Sequence, residues 1–286
     1  MSIAITLALS SALLKATQKV LHRYVLTTED SLAYAFVWHA LSTIMFLPFF
    51  AIEFAMPSNN KVFGLVVISS AIWPIVAYTG FKAYKHLEVS IKTPISKSKI
   101  IFALIFAVLF LKETLNIEKI IGTILIFIGI VVISYKHKSK FGSFKDKGVQ
   151  LTLISSLLMA TALLIDKFAS AFFNPGMYSF MVFGLPTIFL LPFMRNKGPH
   201  IKSIFKNKFS ATLSTMVLGS AAYYLLLWAF KHAEASVIIP IVELGTIFAV
   251  LGGIFFLGEK KDITKTLIAS GIVILGAVLI SGVISF

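Results

Sequence analysis

Apolar runs of about twenty residues alternate with short polar breaks along the whole chain. Between the clusters of charge there are ten such runs, at roughly 2–22, 31–51, 62–82, 91–111, 118–135, 148–168, 176–194, 209–230, 236–257 and 266–285. A bilayer core about 30 Å thick needs about 20 apolar residues per helix, so each run predicts one span. Barrel strands would alternate with period two, and these runs do not. Hydrocarbon offers the backbone no hydrogen-bond partner, which makes closed helices the predicted element. The longest connections, 136–147 and 195–208, are too short for an inserted soluble domain. The pattern predicts an all-α polytopic membrane protein of ten transmembrane helices.

The polar breaks carry orientation and symmetry. Seventeen of the 26 basic residues flank the odd-numbered connections and five flank the even-numbered ones. That bias puts the odd connections in the cytoplasm and both termini outside. The two halves also match. A shift of 144 places Tyr34, Phe36, Leu41, Thr43, Ile44, Leu47, Pro48 and Phe49 on Tyr178, Phe180, Leu185, Thr187, Ile188, Leu191, Pro192 and Phe193. A shift of 146 places Lys85, His86, Glu88, Ser90, Pro94 and Ile95 on Lys231, His232, Glu234, Ser236, Pro240 and Ile241. Shared apolarity accounts for matching Leu or Ile, but not for matching Lys, His, Glu, Ser and Pro at one spacing. The chain reads as a duplication, residues 1–140 and 145–286. Each half holds five spans, an odd number, so the second copy enters the membrane upside down. The connection 195–208 carries five basic residues where its counterpart 53–61 carries one, as opposite faces require.

Composition narrows the class. Hydrophobic residues make up 58% and charged residues 13%, about half the charged share of a soluble domain. A soluble enzyme, a disordered chain and a fibrous protein are excluded. The net charge of +14 is spread over short connections and suits a membrane surface rather than a nucleic acid. The absence of cysteine removes disulfides, thiolate metal sites and a cysteine nucleophile. Phosphate-cradling, nucleophile-elbow and zinc-protease motifs are also missing, so no enzyme, cofactor or metal is predicted. The first run lacks a basic leader before it and reads as a retained helix.

Each half repeats a small-residue segment, a Pro opening the fourth span and an apolar run ending in Glu. These are Ser90, Pro94 and Leu111-Lys112-Glu113, then Ser236, Pro240 and Leu257-Gly258-Glu259. Gly-containing spans follow, with Gly122 and Gly129, then Gly271 and Gly276. In these features the sequence resembles the drug/metabolite transporter superfamily, specifically EamA-type permeases. The resemblance implies a ten-helix basket; the cell membrane is the expected location, and a chain that already holds both halves has no need to dimerise. It implies a central cavity lined mainly by helices one, three, four, six, eight and nine. It also implies carriage of a small polar metabolite, often amino-acid export, with no cofactor. It implies cytoplasmic termini, the reverse of the charge bias. Pro94, Glu113, Pro240 and Glu259 are the motif positions, and the two glutamates are expected to satisfy the start of the next helix. A lipid or lipid-linked sugar flippase of the same superfamily is the alternative. A membrane-embedded enzyme would need a catalytic cluster at one interface, which the sequence lacks.

Ionisable residues at membrane depth are costly and mark function. Lys97 and Lys99 follow Pro94, and the 146 shift carries Lys97 onto Glu243 in the ninth span. Three readings stand: a salt bridge near the pseudo-twofold axis, two ends of a zwitterionic substrate, or lysines snorkelling to the headgroups. Lys15, Lys19 and His22 share one face of the first span with Gln18 beside them. Lys15 is the deepest, while Lys19 and His22 are expected to reach interfacial water. His39 is central in the second span, where it fits helix packing or, with Glu243, proton coupling. Tyr78 and Tyr224 are equivalent positions, and Trp228 lies one turn beyond Tyr224. They suit a cavity wall, helix packing or the aromatic belt. Asp166 falls near the end of the sixth span and is given no role.

Overall fold

The computed structural model describes residues 2–26, 28–83, 86, 95–134, 145–245, 247–248 and 263–280. Pro94 and Glu259 lie outside the described residues, as does the side chain of Lys19. Among the described residues there are eleven α-helices. The first half contributes α1 (Ser2–Leu26), α2 (Ser31–Ile52), α3 (Phe63–Ala83), α4 (Ser98–Leu111) and α5 (Ile117–Ser134). The second contributes α6 (Lys147–Ala169), α7 (Pro175–Leu190), α8 (Gly198–Asn207), α9 (Phe209–His232), α10 (Ala235–Val242) and α11 (Ile263–Ile280). Among the described residues five stretches are long and apolar enough to cross a bilayer: α2, α6, α9, and those at Asn60–Gly80 and Pro175–Met194. Shorter apolar helical stretches lie at Ile3–Gln18, Ser98–Leu111 and Gly271–Ile280.

One connection differs from the sequence reading. Within 195–208 the chain forms α8, opened by Pro199 in its first turn, where a missing N–H costs nothing. Ile201 and Ile204, three residues apart, pack on the small core of Val25, Ala33, Tyr34 and Val37. Lys202 and Lys206 stay exposed. Two apolar residues on one face were enough to turn a basic loop into a surface helix.

Packing follows the repeat. Helix α1 packs on α9, and its counterpart α6 packs on α3; α1 also meets α10 as α6 meets α4. Exchanging the halves therefore maps each contact onto another. The pairs α2–α7 and α5–α11 map onto themselves. The local cause in α1 is a stripe of buried Ala4, Ala8, Ala12 and Ala16, one per turn. In α6 the same stripe is Gly148, Thr152, Ser156 and Ala160. Small side chains let backbones approach where lipid supplies no hydrophobic drive.

The crossing of α5 and α11 gives the direction of the second copy. A Cβ on Gly122 would lie 2.6 Å from the Gly276 carbonyl and 2.6 Å from Ile280. One on Gly129 would lie 2.3 Å from Val273. Rising residue numbers on one helix meet falling numbers on the other, so these equivalent helices run antiparallel. The second half is inverted.

Candidate functional site

Two charged residues sit where equivalent helices are interrupted. Ile95 and Ser96 are helical, Lys97 is a turn, and α4 begins at Ser98. In the other half α10 stops at Val242, and Glu243 and Leu244 form a turn. Pro240, inside α10, lacks the N–H that would continue the ladder. Interrupted spans of this kind expose backbone dipoles at membrane depth and build transporter sites.

Lys97 Nζ lies 2.7 Å from Glu243 Oε2, and Lys99 Nζ lies 2.7 Å from Oε1 of the same carboxylate. All three are buried, at 2%, 8% and 6% exposure. Snorkelling is thereby excluded for both lysines. Two ammonium groups share one carboxylate, so the trio sums to one positive charge. Lys15, from α1, is close enough to feel the charges of Glu243, Lys99 and Asp166. The approach of α1 rests on a small residue: a Cβ on Gly245 would stand 2.4 Å from the Ala12 carbonyl. Lys99 also reaches the Met159 sulfur at 3.7 Å, which ties the cluster to α6.

The other candidate residues lie elsewhere. Tyr78 faces outward at 49% exposure, and its hydroxyl accepts from Lys82 at 3.0 Å. Tyr224 packs among Phe46 and Phe49 and donates to Glu53. Trp228 stacks on His232. His39 is buried between Trp38 and Phe183, and its Nδ1 has no hydrogen-bond partner among the described residues. Glu113 accepts from the Ala235 and Ser236 amides at 2.8 and 3.0 Å. It therefore caps α10 of the opposite half rather than the next helix.

Asp166 was passed over in the sequence because it lies near the end of its span. It is fully buried. Ser69 and Tyr178 donate to its Oδ1 at 2.6 and 2.8 Å, and Tyr223 donates to Oδ2 at 2.8 Å. Its repeat counterpart is His22, which the sequence placed at interfacial water. Instead His22 Nδ1 lies 2.7 Å from the Tyr34 hydroxyl, which lies 2.7 Å from Thr215. The 144 shift already carried Tyr34 onto Tyr178; extended to the residue twelve before each tyrosine, it carries His22 onto Asp166. That extension was the missed signal.

A duplicated, inverted helical fold with buried charge at interrupted spans defines the class as membrane transporters. The comparisons make the assignment specific. The chain matches the EamA-like transporter family over residues 2–135 and again over 146–282. It belongs to that family. A relative from Archaeoglobus fulgidus, named "Uncharacterized transporter", is 28% identical over 227 residues, 76% of this chain and 75% of its own. One from Lactococcus lactis, named "Putative sugar uptake protein YxfA", is 27% identical over 247 residues, 80% of this chain and 82% of its own. A solved crystal structure superposes with TM-score 0.79, covering 99% of this chain and 98% of that one at 12% identity, which establishes the shared fold alone.

Proposed function

We propose that this transporter moves a small polar metabolite carrying an anionic group, bound at Lys97 and Lys99 and exchanged across the membrane by alternating access. The observation that carries the reading is the shared carboxylate. Glu243 bridges both lysines in a closed, buried cluster, and removing either charge from water is costly unless it is paired. A substrate carboxylate or phosphate can replace Glu243 at one ammonium, leaving the second lysine as its partner. The exchange keeps each ammonium paired and lets the helix interruptions separate. Because the trio joins the two halves, opening it on one side and then the other is a rocking of one repeat against its inverted copy. Lys15 adds a further positive charge nearby.

The test is counterflow uptake in proteoliposomes, with separate labelled pools of amino acids, carboxylates, phosphorylated sugars and neutral sugars. The expected outcome is accumulation from an anionic or zwitterionic pool, lost in Lys97→Met with the fold retained. Accumulation of neutral sugars alone, unaffected by Lys97→Met, would overturn the anionic assignment. That outcome would favour the activity named for the Lactococcus relative.

A further inference from the structure

The transport cluster does not use Asp166, the most deeply buried carboxylate among the described residues. No cationic nitrogen lies within 4.0 Å of it among the described residues. Three hydroxyls hydrogen-bond to it, Ser69 from α3, Tyr178 from α7 and Tyr223 from α9, and the Trp73 indole of α3 stands beside them. A shell of ammonium groups or amides would donate only, and would fix the carboxylate in its ionised form. The indole can only donate, but a hydroxyl can donate or accept, so the three hydroxyls let the site satisfy both the carboxylate and the carboxylic acid.

The geometry favours one oxygen. Oδ1 already takes two donors, whereas Oδ2 takes one. A proton arriving on Oδ2 requires the Tyr223 hydroxyl to turn its own hydrogen away from the carboxyl and accept, while Ser69 and Tyr178 go on donating to Oδ1. The surroundings include other charges. Lys15 on α1 acts on Asp166 from a distance. Lys99 on α4 reaches α6 at Met159. Lys167, next in the chain, points to the backbone carbonyls of Phe230 and Ala233 and lies within range of Glu113 and Glu234. A cavity of about 450 Å³, lined by Glu113, Lys167, Lys231 and Glu234, begins one residue beyond Asp166.

The inverted repeat reproduces the arrangement at the other end. His22 on α1, Tyr34 on α2 and Thr215 on α9 match Asp166 on α6, Tyr178 on α7 and Ser69 on α3. In each, the titratable residue and tyrosine come from one half and the small hydroxyl from the opposite half. His22 is four residues from the end of α1 and Asp166 three from the end of α6. Because the halves are inverted, the clusters lie toward opposite membrane faces.

We infer that Asp166, within its shell of Ser69, Tyr178 and Tyr223, is a proton-binding site at the junction of the two halves. Proton uptake converts the carboxylate to the acid and reverses the Tyr223 bond; release restores the ionised form. If the transport reading holds, this site is where the moving halves sense a proton gradient. The proton-binding claim itself does not depend on that reading.

The experiment needs no substrate. Infrared difference spectra of the purified full chain in phosphatidylcholine vesicles are recorded between about pH 4, near the ordinary Asp value, and about pH 9. The 12 Asp and Glu residues together give a protonated-carboxyl C=O envelope at the acid end, and one component of it is expected to be missing in Asp166→Asn. Ser69→Ala removes one donor from Oδ1 and should move the same component to higher frequency. If Asp166→Asn does not fold, the Ser69→Ala shift decides alone. An envelope unchanged in folded Asp166→Asn, or one with no component moved by Ser69→Ala, would overturn the site. Counterflow failure without loss of this component would count against the transport reading only.

Discussion

Lys97 and Glu243, 146 residues apart and equivalent in the two repeats, meet at 2.7 Å. A residue and its own symmetry counterpart can touch only near the pseudo-twofold axis, so the pair marks that axis inside the protein. Opposite charges at equivalent positions also make the axis imperfect where it matters. The two partners are unequally replaceable. In Lys97→Met the carboxylate keeps Lys99, so the loss should be one charge-assisted bond, roughly 1.5–3 kcal/mol. In Glu243→Gln two buried ammonium groups lose their counter-charge, and the cost should be on the order of 3–5 kcal/mol. Thermal unfolding of both variants in one detergent checks the order. Equal losses would contradict the shared-carboxylate geometry.

The crossing of α5 and α11 predicts a contrast between two glycines of the same helix. Gly276→Ala places a methyl 2.6 Å from the Gly122 carbonyl, an overpacking cost of typically about 1–3 kcal/mol. Gly271→Ala meets nothing within 4 Å and should be neutral or stabilising by up to about 1 kcal/mol. Unfolding midpoints of the two variants should fall on opposite sides of, or one at and one below, the native value.

Glu113 should act through α10. Glu113→Ala leaves the Ala235 and Ser236 amides without their carboxylate, a capping loss of about 0.5–2 kcal/mol. The same change should increase hydrogen exchange at the start of α10 and leave the start of α5 unchanged. The reverse pattern would restore the expectation that Glu113 serves the next helix.

Asp30 carries a pH-dependent contribution outside the spans. It caps α2 through the Leu32 and Ala33 amides and pairs with Lys197 at 2.7 Å. Burial alone would push its carboxyl up, but the Lys197 ammonium and the Ala33 amide outweigh it, and the group sits below the ordinary Asp range. A lowered folded value means the stabilisation is fully present above the unfolded Asp value, about 3.9. It is lost as pH falls through the folded value. Asp30→Asn should therefore lower stability at neutral pH, and its difference from the native chain should shrink in acid. Added salt should shrink it too, because the pair is partly exposed. A difference independent of pH would remove Asp30 from the acid response.

The sequence made the duplication legible because charged and Pro positions inside apolar runs have few alternatives. The same rarity exposed Lys97 and Glu243. Helix facing was another matter. Tyr78 and Tyr224 were matched by position, but position within a repeat does not say which neighbour a face meets. In α3 the inward face is Val76 and Thr79, and a Ser155 hydroxyl donates to the Val76 carbonyl at 3.1 Å. That rotation leaves Tyr78 outside. Asp166 was misjudged because closeness to a span end was equated with water. Tyr178 of the next helix, Ser69 and Tyr223 enclose it, and the last two come from helices 97 and 57 residues away in sequence. The helix in 195–208 was hidden by its lysines, since only Ile201 and Ile204 signal its inner face.

The glycine crossing of α5 and α11 has a bearing on ancestry. Gly122 meets Gly276 through the carbonyl of each against the Cα of the other, a self-complementary contact of the kind found in twofold homodimers. A protein of half this length, inserted into the bilayer in both orientations, would carry that contact on its last helix and could assemble with a copy of itself. Fusing two such genes adds no new interface. It frees each copy to diverge, and an imidazole set inside one end of the protein with a carboxylate inside the other is a divergence that only a fused chain can hold in fixed orientation.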